Sequence, residues 1–443
     1  MTGLPATLTG LQHALALGQL SLQESLSAQR QRLKKLDPIY HCVVQVLEDV
    51  LSGAAQADKP QTLAGIGLAH KDIFNTAGRA PGVGHDRGRP VTGLAAAAAV
   101  QQLQTAGASQ LATVVMAEYA CGATGENPHF PRCLNPLNPA AVVGGSSSGS
   151  AVAVASEIAY GAMGTDTAGS VRIPAATCGL IGLKTTHGLI NQAGVYPLAP
   201  SLDSIGLLAR SAADARQLLD ALTLGSSERP SVQEPRLKAW IPETGLHDSV
   251  TAALSALADD CTVIQRISQL AEHRVLTALS EILLHHEAAT THQSGLLNKT
   301  LSASVEAVAL PGLVMPLDWY QAAVRDRSSR ARAFFNAHLK DHDILMMPAL
   351  PQPVPDGSVV TPGSTDFDVK QLLSLHSFMG WVNYLGFPSL VMPIASDARG
   401  LPICAQFIAR PFEERTLLAF ADGLEIKRFG RSGITRHFSN LQS

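Results

Sequence analysis

The sequence of this 443-residue chain predicts an α/β fold, because segments with the patterns of strands and helices alternate along it. An apolar run at 65–70 is typical of a buried strand, residues 94–106 of a helix and residues 110–115 of the next strand. Apolar residues make up 46% of the chain and charged residues 16%, which favours a well-buried globular protein over a disordered one.

Charge and cysteine usage narrow the function classes. The formal net charge of −3 gives no electrostatic reason to expect a nucleic acid or an anionic membrane as partner. The six cysteines show no paired spacing, no apolar run reaches the ~20 residues of a membrane span, and the N-terminus lacks the pattern of a secretion signal. We therefore predict a cytoplasmic protein that acts on a small neutral or zwitterionic molecule.

Two loops of small residues dominate the middle of the sequence. Residues 144–150 read Gly-Gly-Ser-Ser-Ser-Gly-Ser, and residues 164–174 read Gly-Thr-Asp-Thr-Ala-Gly-Ser-Val-Arg-Ile-Pro. Between them, residues 151–161 are almost entirely apolar, which predicts a helix that is buried on nearly every side. Such a helix would hold both loops rigidly. A solvated Gly/Ser linker is the alternative, and the apolar flanks argue against it.

The loops suggest nucleophilic chemistry. Consecutive backbone N–H groups in a glycine-rich turn form a trap for an anion, so a serine there could attack a carbonyl and leave the oxyanion bound to amides. A serine nucleophile needs a base, and Lys71 ends the apolar run at 65–70. Desolvation lowers the pKa of a lysine, so that a buried Lys71 could be neutral. The alternative is a simple ion pair between Lys71 and Asp72.

These residues resemble the amidase signature family. Lys71-Asp72, the serine loop at 144–149 and the loop at 164–174 match its three blocks in the right order, with 75 residues from Lys71 to Ser146 and 24 from Ser146 to Ser170. The chain departs from the family at Ala168, where glycine is frequent, and at residues 80–85, where a Thr-Thr-Ala-Gly-Ser-like run is frequent. The likeness is continuous over residues 64–210 and returns at residues 343–412.

The resemblance implies a Ser-cisSer-Lys triad. Ser170 would be the nucleophile that forms an acyl-enzyme, Ser146 the bridging serine after a cis peptide bond, and Lys71 the neutral base. Asp166 and Arg172 would hold the loop by charge-assisted hydrogen bonds. The residues expected to contact substrate fall into two groups: the oxyanion hole, formed by the backbone amides of Thr167, Ala168, Gly169 and Ser170, and the substrate-binding pair Gly145 and Tyr119. Tyr119 could equally be a core residue.

The same resemblance implies one large domain over residues 1–443, a mixed sheet covered by helices on both faces. A helical arm would occupy residues 1–38 and end at Asp37-Pro38. It would pack either on a partner subunit, as in a homodimer, or on its own core. Residues 64–210 would form the signature core and residues 226–314 a variable region. No cofactor is implied, and no metal is expected, since the histidines at 285–292 lack the His-Glu-x-x-His spacing.

The predicted function is hydrolysis of a C–N amide bond in a small substrate to a carboxylate plus ammonia or an amine. Two alternatives share the chemistry: hydrolysis of ureido substrates such as allophanate or carboxybiuret, and the glutaminase subunit of a tRNA-dependent amidotransferase. Residues 317–327 lack the Gly-Tyr-Tyr-Asp-Ala-Tyr-Tyr-like run usual in that glutaminase. A non-catalytic phosphate-binding module is the alternative from another class, and the chain lacks a Gly-x-x-x-x-Gly-Lys-(Ser/Thr) motif.

Overall fold

A computed structural model of the chain describes residues 4–47, 61–223 and 234–430. The first three residues of the expected arm and residues 226–233 of the expected variable region lie outside these ranges. The strands are β1 (Val43–Val46), β2 (Gly67–Lys71), β3 (Arg79–Ala80), β4 (Arg89–Pro90), β5 (Ser109–Val114), β6 (Gly161–Asp166), β7 (Ile181–Lys184), β8 (Ser204–Ala209), β9 (Leu237–Trp240), β10 (Val263–Ile267), β11 (Ile344–Pro348), β12 (Ser389–Ser396) and β13 (Pro402–Ala409).

The helices connect these strands, and a short 3-10 turn spans Glu118–Ala120. They are α1 (Leu8–Ala16), α2 (Leu22–Tyr40), α3 (Ala98–Thr105), α4 (Ser148–Ala155), α5 (Arg172–Cys178), α6 (Ala212–Thr223), α7 (Asp248–Asp260), α8 (His273–Thr291), α9 (Gln293–Asn298), α10 (Ala303–Val314), α11 (Leu317–His338), α12 (Gly357–Val360), α13 (Val369–Ser374), α14 (Gly380–Leu385) and α15 (Glu414–Phe429).

Eleven strands form one mixed sheet in the order β1-β5-β2-β6-β8-β7-β12-β13-β11-β9-β10. Every residue of β2, β5, β6 and β8 is buried, although neighbouring residues of a strand point to opposite faces of the sheet. Alternate residues enter separate hydrophobic cores: Leu68 packs in the core that contains α6, and Ala69 in the core that contains α4. Helices therefore cover both faces, as the resemblance implied.

The N-terminal arm differs from its prediction. It consists of two helices, and α2 continues through Pro38 to Tyr40, so the predicted stop at Asp37-Pro38 is wrong. The helix ends where His41 adopts a left-handed conformation with φ of 53°. The Asp37 carboxylate accepts the N–H groups of Cys42 and Val43 at 3.0 and 2.9 Å, which fixes the end of the helix beyond the proline. Leu8 and Leu11 are buried in the core of their own chain.

The central apolar helix is shorter than its pattern predicts. Helix α4 begins within the serine loop and ends at Ala155 instead of continuing to residue 161, because Glu157 adopts a φ of 64° and Gly161 already begins β6. The Arg210 guanidinium donates to the carbonyls of Val154 and Ala159 at 2.7 and 2.6 Å and so satisfies acceptors at this helix end. The predicted burial of this helix is confirmed, since all of residues 148–154 are buried.

The sheet topology determines where the loops meet. Strands β2 and β6 are parallel neighbours, with His70 opposite Met163, so their carboxyl ends lie at the same edge of the sheet. Lys71 is the last residue of β2, and Thr165 lies next to the end of β6. The loop at 144–147 leads into α4, which packs on both strands. The three sequence blocks therefore converge on one edge of the sheet.

Candidate active site

Lys71 lies at the centre of the site. Its side chain is fully buried, and Nζ donates to Ser146 Oγ at 2.7 Å and to Thr165 Oγ1 at 2.9 Å. The alternative partner Asp72 instead accepts the N–H of Gly82 at 3.0 Å. Lys71 is thus hydrogen-bonded to two hydroxyl groups and has no direct carboxylate partner among the described residues.

Burial lowers the pKa of Lys71 to about 7, against the opposing effect of the carboxylates of Asp203 and Asp166. Desolvation dominates because an ammonium group without a contacting anion loses its hydration shell in the interior. The amine therefore titrates near neutral pH, about three units below an ordinary lysine. A neutral amine 2.7 Å from a serine hydroxyl has the geometry and the proton affinity of a general base.

The loop that carries Ser146 is tightly packed. The peptide bond between Gly145 and Ser146 is cis, as the resemblance implied. A side chain at Gly145 would lie 2.6 Å from the carbonyl oxygen of Gly122, so only glycine fits there. Residues 141–154 are buried throughout, and the alternative of a solvated linker at 144–150 is excluded.

Ser170 lies beside this loop, since the Ser147 N–H donates to the Ser170 carbonyl oxygen at 3.1 Å. Ser146 and Lys71 have no exposed surface, whereas Ser170 keeps 9% of its surface exposed. Among these three residues, only Ser170 is therefore accessible to a molecule that approaches from outside. Behind it, Gly169 has a φ of 112°, and a side chain there would lie 2.7 Å from Met379.

A buried ion pair holds the nucleophile loop, as predicted. The Arg172 guanidinium contacts the Asp166 carboxylate at 2.8 and 3.0 Å, and both side chains are fully buried. Burial alone would raise the pKa of Asp166, but Arg172 and the Asn383 amide hold it well below its usual value. Arg172 also donates to Asn383 Oδ1 and Gln406 Oε1, each at 2.6 Å. These contacts attach the loop to α14 and β13.

The same pair orders the backbone amides of the loop. Asp166 accepts the N–H of Gly169 at 2.9 Å and the N–H of Val171 at 3.2 Å. Within the described part of the chain, the N–H groups of Ala168 and Ser170 have no protein acceptor. They are consequently available to a bound anion or oxyanion, whereas the Gly169 N–H is already engaged.

Asp203 supports the loop from a neighbouring turn. Its carboxylate accepts Thr167 Oγ1 at 2.6 Å and the N–H groups of Leu198 and Ala199. Burial raises the pKa of Asp203 to about 6 despite these hydrogen bonds. The sequence did not assign a role to Asp203 or to Thr165. Both stand inside the motif blocks, but only the structure reveals which atom each contacts.

Tyr119 lies in the 3-10 turn with a φ of 48° and is partly buried. Its ring centroid lies 4.8 Å from that of His292 and 5.7 Å from that of Tyr196. The Ala117 N–H in the same segment donates to the Ser146 carbonyl oxygen at 3.1 Å. Tyr119 is therefore on a segment bonded to the serine loop, and its ring also packs against the main core.

Comparison with known proteins gives the family. A sequence profile of the amidase family matches residues 24–248 and 238–418, which together span most of the chain. The chain belongs to the amidase signature family. This amidase-family chain is also 29% identical to the A-type subunit of the glutamyl-tRNA(Gln) amidotransferase of Oleidesulfovibrio alaskensis, over 97% of its own length and 98% of the relative's.

Solved structures agree with this assignment. A crystal structure of an amidase, 28% identical, superposes with a TM-score of 0.83 and covers 95% of this chain and 100% of that one. The allophanate hydrolase of Kluyveromyces lactis, 21% identical, has the same fold with a TM-score of 0.82, over 98% of this chain and 74% of that one. The protein is thus an amidase-family hydrolase, and no helix within its described ranges is long and apolar enough to cross a membrane.

Proposed function

We propose that this protein is an amidohydrolase that cleaves the C–N bond of a small amide through an acyl-enzyme on Ser170. The contact between Lys71 Nζ and Ser146 Oγ at 2.7 Å carries this proposal, because it joins a buried amine with a pKa of about 7 to a serine next to an accessible second serine. A buried lysine without a contacting carboxylate is unfavourable for stability, and general-base catalysis accounts for its position.

In the proposed mechanism, Ser170 Oγ attacks the amide carbonyl carbon, and its proton passes through the Ser146 hydroxyl to neutral Lys71. The tetrahedral intermediate collapses when the C–N bond breaks, and the leaving nitrogen receives a proton through Ser146. Ammonia or an amine departs and leaves an ester on Ser170. Water, deprotonated by the same relay, then attacks the ester and releases the carboxylic acid and free Ser170.

The oxyanion requires donors that are not already engaged. We propose the N–H groups of Ala168 and Ser170 as the main donors, together with that of Thr167, and assign the Gly169 N–H chiefly to Asp166. Alanine at position 168 is compatible with this role because an oxyanion donor contributes its backbone N–H. We place Gly145 and Tyr119 at the substrate side of the site, as the family resemblance implies.

A panel of amides tests the proposed activity. Primary amides, anilides, allophanate, biuret and glutamine would be incubated with the wild-type protein and with Ser170→Ala, and both carboxylate and ammonia or amine would be quantified. We expect at least one amide to be hydrolysed with equal release of both products, and the Ser170→Ala variant to be inactive. Equal turnover by wild type and variant would contradict a serine acyl-enzyme.

A second candidate function is the glutaminase component of an amidotransferase, and it is supported by the near full-length similarity to the amidotransferase relative of Oleidesulfovibrio alaskensis. Residues 317–327, where that glutaminase usually has a tyrosine-rich run, form the start of α11 here. The two functions differ in their dependence on a partner. Glutamine hydrolysis that appears only after a co-purified protein is added would favour the glutaminase component, whereas efficient hydrolysis of another amide by the isolated chain would favour the amidohydrolase.

A further inference from the structure

Three potential metal ligands from distant parts of the sequence meet outside the triad. His85 Nδ1 lies 3.1 Å and His129 Nε2 lies 3.3 Å from the same atom, Glu118 Oε1. The three donor atoms all lie within 4.8 Å of one another. Ligands of a tetrahedral Zn²⁺ with bonds of about 2.0–2.1 Å are separated by roughly 3.4 Å, so the two contacts to Glu118 have the spacing that such a site requires.

The segments that carry these ligands are held together by one side chain. Asn127 Nδ2 donates to the carbonyls of Gly84 and Met116 at 2.7 and 2.6 Å, and Asn127 Oδ1 accepts the N–H of His129 at 2.7 Å. It thus links the residue before His85, the residue two before Glu118 and His129 itself. This framework holds the ligands in place independently of any ion, which reduces the entropy lost on binding.

The imidazoles and the carboxylate differ in exposure. The Glu118 side chain is fully buried, whereas His85 and His129 keep 42% and 32% of their side-chain surface exposed. The other carboxylate oxygen, Oε2, accepts the N–H of Ser302 at 3.3 Å, which orients the carboxylate. The His85 ring stacks on Tyr119, with centroids 6.2 Å apart. A bound ion would therefore be anchored from inside and open to water on the side of the histidines.

Charge also favours a cation at this position. A buried carboxylate needs a compensating positive charge, and none of the lysine or arginine contacts found within the described ranges reaches Glu118. Compensation must come from a protonated histidine or from a metal ion. Two imidazoles with one carboxylate form a donor set typical of Zn²⁺ and of other first-row divalent metals, and unlike the all-oxygen sets of Mg²⁺ and Ca²⁺.

We propose that His85, Glu118 and His129 form a binding site for a divalent transition metal ion such as Zn²⁺. The site is separate from the proposed acyl-transfer chemistry, in which no metal takes part. It adjoins that chemistry through Ala117, whose N–H donates to the Ser146 carbonyl oxygen. An ion here would thus stabilise the 3-10 turn and, through it, the loop that carries Ser146.

The histidines at 285–292, in contrast, have separate partners. His285 Nδ1 contacts the Val308 carbonyl at 2.7 Å, the His286 ring stacks on Tyr320, and Glu287 accepts the Ser201 N–H. These side chains therefore do not converge on one point as the three ligands of the proposed site do. His85 lies where the sequence departs from the family pattern, so a family-wide site is not implied.

Zn²⁺ titration of the full chain tests the proposal. Protein without a histidine tag would be dialysed against a chelator and titrated with Zn²⁺ in competition with a chromophoric indicator. We expect one high-affinity equivalent in the wild type, and affinity at least about tenfold weaker in His85→Ala, His129→Ala and Glu118→Gln. The matched control is the double variant His13→Ala/His342→Ala, which removes two histidines outside the cluster and should bind like the wild type.

A thermal readout separates specific binding from adsorption. Zn²⁺ should raise the unfolding temperature of the wild type and of the control but not that of His85→Ala or His129→Ala, because only the native site binds the ion. Both histidines are partly exposed, so these variants retain a foldable core even if Glu118→Gln does not. Wild-type affinity no greater than that of His85→Ala and His129→Ala would overturn the proposal and leave a histidine–carboxylate ion pair.

Discussion

Lys71 Nζ and Ser146 Oγ are 2.7 Å apart in the interior, and burial lowers the pKa of this lysine to about 7. In the proposed mechanism, only the neutral amine accepts a proton. We therefore expect kcat/KM to fall about tenfold per pH unit below pH ~7 and to level off above it. A pH series with a neutral amide substrate measures this. Activity that stays constant between pH ~5 and ~7 would contradict the assignment of Lys71 as base.

Replacement of Lys71 separates stability from function. Lys71→Met should abolish hydrolysis yet raise the free energy of unfolding at pH 7 by about 1–4 kcal/mol, because it removes a buried amine that has no contacting carboxylate. The folded-state pKa is lowered from 10.5 to about 7, so the unfolded chain binds more protons between these values and wild-type stability rises with pH there.

The stability gap between Lys71→Met and wild type should consequently be largest at or below pH 7 and narrow towards pH ~10. Urea denaturation at a series of pH values measures it. The matched control is Lys340→Met at an exposed position, for which no such gap is expected. A Lys71→Met variant that is less stable than the wild type at pH 7 would contradict the desolvation argument.

The Arg172–Asp166 pair predicts a large coupling. Arg172→Met leaves the Asp166 carboxylate buried without its cation and should cost about 3–5 kcal/mol of unfolding free energy. The double variant Arg172→Met/Asp166→Asn removes both charges and should recover part of that loss. A double-mutant cycle by chemical denaturation measures the coupling. The exposed pair Arg325–Asp326 is the control, since its disruption should change stability little.

His70 predicts part of the acid sensitivity of the fold. Burial lowers its pKa from 6.5 to about 3, so between these values the unfolded chain binds a proton that the folded chain excludes. This contribution to stability is present above pH ~6.5 and is lost as the pH falls towards 3. His70→Gln should reduce the acid-induced loss by roughly 4 kcal/mol.

Unfolding free energies at pH ~7 and pH ~4 measure this effect, with the exposed His13→Gln as control. The control should lose as much stability on acidification as the wild type. An identical loss in His70→Gln and wild type would show that His70 does not set the acid dependence.

Local sequence was sufficient for the parts of the fold that depend on near neighbours. The buried strand that ends at Lys71 and the strand at β5 were predictable because apolar runs of that length have few alternatives. The helix ends were not. Pro38 is accommodated because Asp37 caps the helix end from within, and α4 stops at Ala155 where Arg210, from a distant strand end, binds the free carbonyls.

The candidate site divides in the same way. Lys71, Ser146 and Ser170 stand in contiguous blocks whose order and spacing mark the family, so the resemblance located them. The partners of those residues depend on tertiary contacts: Asn383 and Gln406 reach Arg172 from more than 200 residues away. The grouping of His85, Glu118 and His129 follows no sequence spacing, because three separate loops bring it together.

Covalent labelling of the nucleophile tests the central claim most directly. The wild-type protein, Ser170→Ala and Lys71→Ala would be incubated with a serine-directed fluorophosphonate, and the modified peptide identified by mass spectrometry, with circular dichroism to verify folding. We predict modification of wild type at Ser170 alone, none in Ser170→Ala and strongly slowed labelling in Lys71→Ala. A folded wild-type protein that remains unlabelled, or a label that persists in Ser170→Ala, would contradict the proposed mechanism.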